Sequence, residues 1–336
     1  MNTPLLSVIV PVYNTEEYLS GFFSSILKTC TEKLELIFID DGSSDNSGSI
    51  IDGYSAEHSF VHALHTNHSG PSAARNVGIA RAHAEYLTFL DSDDYIDPAA
   101  FNRLLLQLEK TTAELWASDF RRVDDTGKLL DKVYQIEETA EPITVPGYLT
   151  QFLEGRECVW NVWRYVYGRK FLSENSLLFD ESASIAEDLE FTVRVLTCVK
   201  KPVFFHNPYY NYRVNYGETL TRVYTADRVR QFTDMCLRAK ETLDSADAPW
   251  TGKLRSKLAR EFVLNLAVCP QVPKDERAAA LEYCRASWSV LDGADCGIAR
   301  LARAAEKAVG LRLTALVLYG MKMMKRAARH IKGYGK

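Results

Sequence analysis

Apolar and polar positions along the first part of the chain predict strands and helices in turn. Ser7 to Tyr13 (SVIVPVY) is a short apolar, β-branched run, the pattern of a strand buried on both faces. Asn14 and Thr15 stand at a capping position, with Glu16 and Glu17 as acids of a first helical turn. Leu19, Phe22, Phe23, Ile26 and Leu27 then recur at helical spacing. LELIFID (Leu34 to Asp40) predicts a second strand, and DGSSDNS behind it is loop chemistry. A helix is expected around Ser49 to Glu57 and a short strand over Val61 to His65. Pro71 to Ala84 reads as a helix with proline at its first position. YLTFL (Tyr86 to Leu90) is a further buried strand that runs straight into Asp91-Ser92-Asp93-Asp94. Strands alternating with helices imply an α/β fold, a mostly parallel central sheet flanked by crossover helices. Ligands of such sheets sit at the carboxyl ends of the strands. Tyr13, the pair Asp40 and Asp41, and the run Asp91 to Asp94 fall there.

The pattern is less regular afterwards. Pro98 to Lys110 predicts a helix and Ala113 to Phe120 a strand. The polar stretch from Asp124 to Pro146 reads as an excursion. Trp160 to Phe171 is dense in aromatics, Ala186 to Val199 is helical, and Pro202 to Arg213 is a strand with its exit. From about Asp227 the signal is helical, which sets a C-terminal region over 226–336 apart. No internal repeat or low-complexity tract is present.

Composition narrows the classes. A chain of 336 residues with 46% hydrophobic content can build a full core. A net charge of −4 gives no whole-chain argument for a nucleic-acid partner. The seven cysteines are scattered with no CxxC pair, which argues against a disulfide framework and a structural zinc site and fits a reducing cytoplasm. The amino terminus lacks a basic region, and Pro11 breaks its apolar run, so no signal peptide is expected. No stretch approaches the ~20 apolar residues of a spanning helix, so the expectation is a soluble or peripheral protein.

Asp91 and Asp93 present two carboxylates from one tight loop. Mg²⁺ and Mn²⁺ take oxygen ligands, often one or two carboxylates plus substrate phosphates, and such an ion neutralises a diphosphate leaving group. A solvated acidic turn before the helix at Pro98 would carry the same residues; their place behind a buried strand favours the metal reading. Asp40 and Asp41 fit either a turn before Gly42 or acceptors for a base N–H and ribose hydroxyls. Tyr13 fits either a base-stacking ring or packing on the first helix.

Taken together, the chain resembles family 2 glycosyltransferases of the GT-A fold. The matching segments are SVIVPVYN, YLSGFFSSILKTC, LELIFIDDGSSDNS and GPSAARNVGIARAHAEYLTFLDSDDYIDP, then VWRYVYGRKFLSENSLLFDE and AEDLEF. The resemblance implies a nucleotide-sugar-binding half over 1–98 and an acceptor-side half over 99–225. It implies that Pro11 and Tyr13 line the base pocket, that Asp41 binds uracil with Asp40 beside it, and that Arg75 lies near base or phosphates. Asp91, with Ser92 next to it, would contact the ribose or the water shell of the metal, and Asp93 would hold Mn²⁺ or Mg²⁺. Asp188, in the pair Glu187-Asp188, matches the general base; the same acids also suit a helix start. Arg213, with Thr219 or Thr221, would stand near the diphosphate, or on a surface loop. The implied activity is inverting transfer from a UDP-sugar to a glycan or lipid-linked glycan, in cell-surface polysaccharide synthesis. Inversion needs base and metal on opposite sides of the anomeric carbon, which suits their wide separation in the chain.

One departure is the run Ala82-His83-Ala84-Glu85-Tyr86, where the family often has glycine before the strand; a local surface change is expected. A nucleotidyltransferase also uses carboxylates and a metal, but would usually show a glycine-rich basic phosphate loop where this chain has PVYNTEEY. A non-catalytic carbohydrate- or partner-binding module would be expected to lose Asp93 or Asp188. His58, His62, His65 and His68 cluster in sequence, but no acidic or cysteine partner is expected near them, which leaves surface histidines. His206 reads as structural. Trp160 and Trp163 fit either an acceptor platform or the core. Leu311 to Lys336 holds seven Lys or Arg and no acid. Lys322, Lys325, Arg326 and Arg329 share one helical face, with Leu316, Met323, Met324, Ala327 and Ile331 largely elsewhere. That pattern fits either an amphipathic helix on an anionic membrane surface or a terminal helix docked on its own domain. Peripheral attachment at the inner face of the membrane is the corresponding expectation for location.

Overall fold

The computed structural model describes residues 3–139, 141–155, 157–214 and 224–333, with side chains up to Met324 in the last helix. Thr219 and Thr221 lie outside the described residues, as do the side chains of Lys325, Ala327 and Ile331 with their neighbours. The chain forms two units. The first holds Met1–Ser182 and Arg194–Gly217, and the second holds Ala183–Val193 and Glu218–Lys336.

The first unit is built on one sheet with helices against it. β1 (Leu6–Val12), β2 (Leu34–Asp40), β3 (Val61–His65) and β4 (Tyr86–Phe89) alternate with α1 (Glu16–Ile26), α2 (Ser47–Glu57) and α3 (Pro71–Arg81). These four strands pair in parallel in the order β3-β2-β1-β4. The apolar runs of β1, β2 and β4 are buried, with only Pro11 half-buried, because helices cover the sheet, whereas the edge strand β3 is buried only at Val61. Gly78 lets α3 lie directly on β1, since a Cβ there would stand 2.2 Å from the Ile9 Cγ2. Pro11 lies past the last β4 partner of β1, Phe89 opposite Ile9, so on that side its missing N–H breaks no ladder.

Beyond β4 the sheet becomes mixed, with antiparallel pairs beside the expected parallel ones. The short β5 (Tyr95–Ile96) leads to α4 (Pro98–Leu108), capped by Asp97, whose carboxylate accepts the Ala100 N–H. β6 (Leu115–Val123), β7 (Leu129–Val133), β8 (Tyr165–Gly168) and β9 (Pro202–Arg213) complete the order β4-β8-β6-β9-β5, with β7 paired to β6. β8 is antiparallel to both β4 and β6, whereas β6 and β9 run parallel. β7 was not expected: the excursion after Asp124 is a hairpin on β6 whose strand is exposed except at Val133, so no alternation marks it. Trp160 and Trp163 are both buried, and Trp163 stacks on Tyr210 at 4.3 Å, which places them in the core. The segment before β4 is also more than a surface change. Ala82 and Ala84 are buried, and the N–H and Nδ1 of His83 contact the buried Glu35 carboxylate at 2.9 and 2.7 Å.

The helix α5 (Tyr148–Glu154) follows β7, and α6 (Arg169–Glu174) follows β8. α7 (Glu187–Cys198) begins in the second unit, which otherwise consists of α8 (Ala226–Ser245), α9 (Thr251–Leu266), α10 (Arg277–Ala286) and α11 (Gly297–Gly333). Thr225 caps α8 through its Oγ1, which accepts the Arg228 N–H. Gly310, at φ 74°, breaks α11 in two. After the break Leu311, Thr314, Ala315 and Leu318 are buried. Leu313, Leu316, Val317 and Met324, spaced at helical intervals, share the opposite face and are each about half exposed or more. One apolar face of this segment therefore points to solvent, and docking on its own unit uses the face of Leu311, Ala315 and Leu318. No helix among the described residues is long and apolar enough to cross a membrane.

Candidate active site

The loops after β1, β2 and β4 meet at the carboxyl edge of the parallel half-sheet. Asn14, in the left-handed region at φ 51°, accepts the Ser44 N–H through Oδ1, and its own N–H reaches the Ser43 hydroxyl at 3.0 Å. Thr15 precedes α1 but does not cap it. Asp45 of the second loop accepts the Glu16 N–H, while the Thr15 hydroxyl shares a 3.0 Å bond with Ser92. The cap expected from local sequence is thus supplied across the loops.

Asp40 and Asp41 end β2 in different ways. Asp40 accepts the Ser43 N–H and contacts the His65 Nδ1 at 2.9 Å, while the His65 Nε2 contacts Asp52 at 3.0 Å. Burial alone would raise the Asp40 pKa, but these bonds hold its carboxyl below the ordinary range. The bonds from Asp40 and Asp52 raise His65. The expectation that these histidines lack acidic partners is therefore corrected: the partners come from 25 and 13 residues away, beyond what sequence spacing shows. Asp41 holds the loop after β3. Its Oδ1 accepts the Thr66 hydroxyl and the Ser69 N–H, and its Oδ2 accepts the Gly70 N–H. Tyr13 is about half exposed and stacks on His68 with centroids 4.2 Å apart. Pro11, Tyr13, Asp40 and Asp41 thus gather at one corner, and His68 joins them, a residue assigned above only to the surface.

The acidic loop is the centre of the site. One carboxylate oxygen from each of Asp91, Asp93 and Asp94 lies within 4.8 Å of the others, and among the described residues no other such group is found. Asp94 is buried and both its oxygens are occupied. Oδ2 accepts the Tyr210 hydroxyl at 2.6 Å, and Oδ1 accepts the Arg213 N–H at 2.6 Å. The Tyr210 oxygen also accepts the Asp91 N–H at 3.2 Å, so β9 grips the loop from below. Burial, with Asp93 and Asp91 nearby, pushes the Asp94 carboxyl well up. Asp93 is pushed up to about 6, by burial first and by Asp91 next. Like charges held this close oppose ionisation unless a cation joins them. With Asp94 committed to Tyr210 and Arg213, the donor set for an ion is Asp91 and Asp93, and two carboxylates completed by substrate phosphates suit Mg²⁺ or Mn²⁺.

Two arginines flank this loop. Arg75 of α3 is buried, with Nη2 3.5 Å from Asp91 Oδ1 and its guanidinium over the Phe179 ring. Arg213 is no loose surface side chain. Its Nε donates to the Asp93 carbonyl and its Nη1 to the Asp125 carbonyl, both at 2.9 Å, between the rings of Tyr18 and Tyr95. Ser92 is buried beneath.

Glu187 and Asp188 open α7 in the second unit, where acids face the positive end of the helix. Ala186 just before them has φ 59°, a conformation that costs a non-glycine residue about 1 kcal/mol or more and fixes the direction in which the helix starts. A cavity of about 340 Å³ opens beside it within the second unit, with Tyr224, Arg228 and Phe232 in its wall. Asp119 and His206 form a further pair that sequence reasoning missed. The fully buried Asp119 lies 2.8 Å from the His206 Nδ1 and accepts the Gln135 N–H, bracing the hairpin of β6 and β7.

Residues 7–176 match the family model described as glycosyl transferase family 2. Among curated proteins, the glycosyltransferase EpsJ of Bacillus subtilis is 31% identical over 214 residues, 63% of this chain and 62% of EpsJ. The chain spans less than two thirds of the length of the curated relatives it matches first. Among solved structures, S. aureus TarS 1–349 superposes with a TM-score of 0.72 at 20% identity, covering 96% of this chain and 92% of that one. The same TarS fragment in complex with UDP-GlcNAc gives a TM-score of 0.71 at 19% identity, with the same coverage. At that identity the likeness shows the fold, and it is the GT-A arrangement of a mixed sheet with a helical C-terminal region.

Proposed function

We propose that this chain, which belongs to glycosyl transferase family 2, transfers a sugar from a UDP-sugar to a glycan or lipid-linked glycan acceptor with inversion at the anomeric carbon. The acidic loop carries the reading: Asp91 and Asp93 present two carboxylates at a strand end, on a loop held by a buried tyrosine and an arginine backbone. In this reading they bind Mn²⁺ or Mg²⁺, and the ion supplies charge neutralisation for the departing diphosphate. Arg75 adds positive charge beside Asp91, and Arg213 holds the loop from its other side. The base lies at the corner of Pro11 and Tyr13. Asp41, oriented by Ser69 and Gly70, accepts the uracil N–H, and Asp40 and Ser92 complete the surround. The binding of UDP-GlcNAc by TarS, a fold neighbour, supports the UDP-sugar class. Asp188 takes the proton of the acceptor hydroxyl, with Glu187 beside it.

The exposed apolar face of α11, followed by an acid-free basic tail, supports a peripheral position on an anionic membrane at the cytoplasmic side, within cell-surface polysaccharide synthesis. The test is a screen of UDP-sugars for metal-dependent release of UDP. The expected result is release from one donor with Mn²⁺ and none with chelator. Diphosphate release from a nucleoside triphosphate and a sugar phosphate, with every UDP-sugar untouched, would make the chain a nucleotidyltransferase instead.

A further inference from the structure

A second cavity of the helical unit lies far from the acidic loop in sequence and has no part in the reaction above. Its volume is about 590 Å³, and it is enclosed by the segment around Cys269 to Leu281 and by the half of α11 after Gly310. That size suits a small ligand. Three cations line it, Lys274, Arg277 and Arg312, and no acid does. Arg277 donates its Nε to the Val272 carbonyl at 2.7 Å, so that side chain is fixed in place while its terminal nitrogens keep no partner among the described residues. Lys274 and Arg312 make no ion pair among the described residues. The rest of the wall is apolar, with Leu281, Leu316 and Tyr319 prominent.

We propose that this cavity binds the head of a lipid that ends in a phosphate, with the hydrocarbon chain leaving along α11. Three cations without a counter-charge repel one another, and an anion relieves that repulsion. A phosphate monoester carries a charge of about −1.5 to −2 at neutral pH, and arginine forks fit its oxygens. The apolar wall decides between a lipid and a free phosphate. Leu316 belongs both to the cavity and to the exposed face that Leu313, Val317 and Met324 continue. A hydrocarbon chain leaving the cavity therefore meets a continuous apolar track, which a water-soluble phosphate would leave bare. The inference deepens the membrane-facing reading of α11, but its test does not depend on vesicles.

The probe is dioctanoyl phosphatidic acid below its micelle concentration, titrated calorimetrically into the full chain, with inorganic phosphate in a parallel arm. The lipid is expected to bind at least tenfold more tightly than phosphate. Lys274→Glu combined with Arg312→Glu should weaken it at least tenfold. Ala278→Trp, at an exposed position in the cavity wall, should do the same with no change of charge. Lys307→Glu, exposed on α11 before the break, should leave it unchanged. Equal affinity in wild type and Ala278→Trp, or phosphate binding as tightly as the lipid, would overturn the proposal. Ala278→Trp separates the two readings, because it fills the cavity and leaves the track intact: anionic vesicles should still sediment with it while the short-chain lipid no longer binds, whereas Leu313→Glu with Val317→Glu should weaken both. Vesicle binding by wild type with no uptake of the soluble lipid would remove the cavity site and leave the membrane reading standing.

Discussion

Tyr210→Phe removes one oxygen and tests whether β9 sets the geometry of the acidic loop. The ring of Tyr210 is buried and stacked on Trp163, so phenylalanine keeps the volume and leaves no cavity. What disappears is the 2.6 Å bond to Asp94 Oδ2 and the acceptor for the Asp91 N–H. Asp94 is only 2% exposed, so water does not replace the lost donor. Leaving such a group unsatisfied costs about 1–3 kcal/mol. Asp91 is partly exposed, and its N–H recovers a water partner, so it adds little. The expected loss of stability is therefore about 1–3 kcal/mol, read by urea denaturation of the metal-free protein. Function should suffer in a second way. Asp91 and Asp93 stay in place but lose the support that aligns them, and removing such a support typically costs about 10–100-fold in metal affinity. Titration with Mn²⁺, followed by calorimetry, reads this directly. Stability within ~0.5 kcal/mol of wild type, the ordinary range for changes that touch nothing important, together with unchanged Mn²⁺ affinity would refute the reasoning.

Four further outcomes are expected. Asp93 is raised to about 6, so its proton competes with the ion, and Mn²⁺ affinity should fall about tenfold per pH unit below that value. Because the folded carboxyl holds its proton more tightly than the unfolded one, the metal-free protein should lose stability as pH rises from about 4 to 6, and Mn²⁺ should reverse the loss in thermal melts. Gly78→Ala gains about 1 kcal/mol of helix propensity but drives a Cβ to 2.2 Å from Ile9, so a net loss of roughly 1–2 kcal/mol is expected in urea melts, and a gain would contradict the close contact of α3 with β1. Asp188→Asn should slow transfer about 10²–10⁴-fold while UDP-sugar affinity, read by calorimetry, stays near wild type; turnover close to wild type would place the base elsewhere.

The first ninety residues are legible because each element there carries its own signal. β1, β2 and β4 are continuous apolar runs, α1 and α3 show helical spacing or an initial proline, and Asp91 and Asp93 stand where a strand must end. β7 was hidden because an exposed edge strand needs no apolar alternation. The pairings of His65 with Asp40 and of Asp119 with His206 join residues 25 and 87 positions apart, and only the register of the sheet creates them. Tyr210 was likewise one aromatic among many in PVFFHNPYYNYR; its task follows from β9 lying parallel to β6, with Phe120 opposite Tyr210, which carries the hydroxyl beneath the acidic loop. The tail was ambiguous in sequence because helical spacing gives faces but not the side that docks. Burial of Leu311, Ala315 and Leu318 supplies that side.

The central claim is that Asp91 and Asp93 bind the donor through a divalent ion. Calorimetric titration of the full chain with UDP and with UDP-GlcNAc, in Mn²⁺ and again in chelator, tests it most directly, with Asp93→Ala as the matched variant. The account predicts binding in Mn²⁺, a loss of at least tenfold in chelator, and the same loss in Asp93→Ala whether or not metal is present. Equal affinity of the wild type for UDP in Mn²⁺ and in chelator would contradict it.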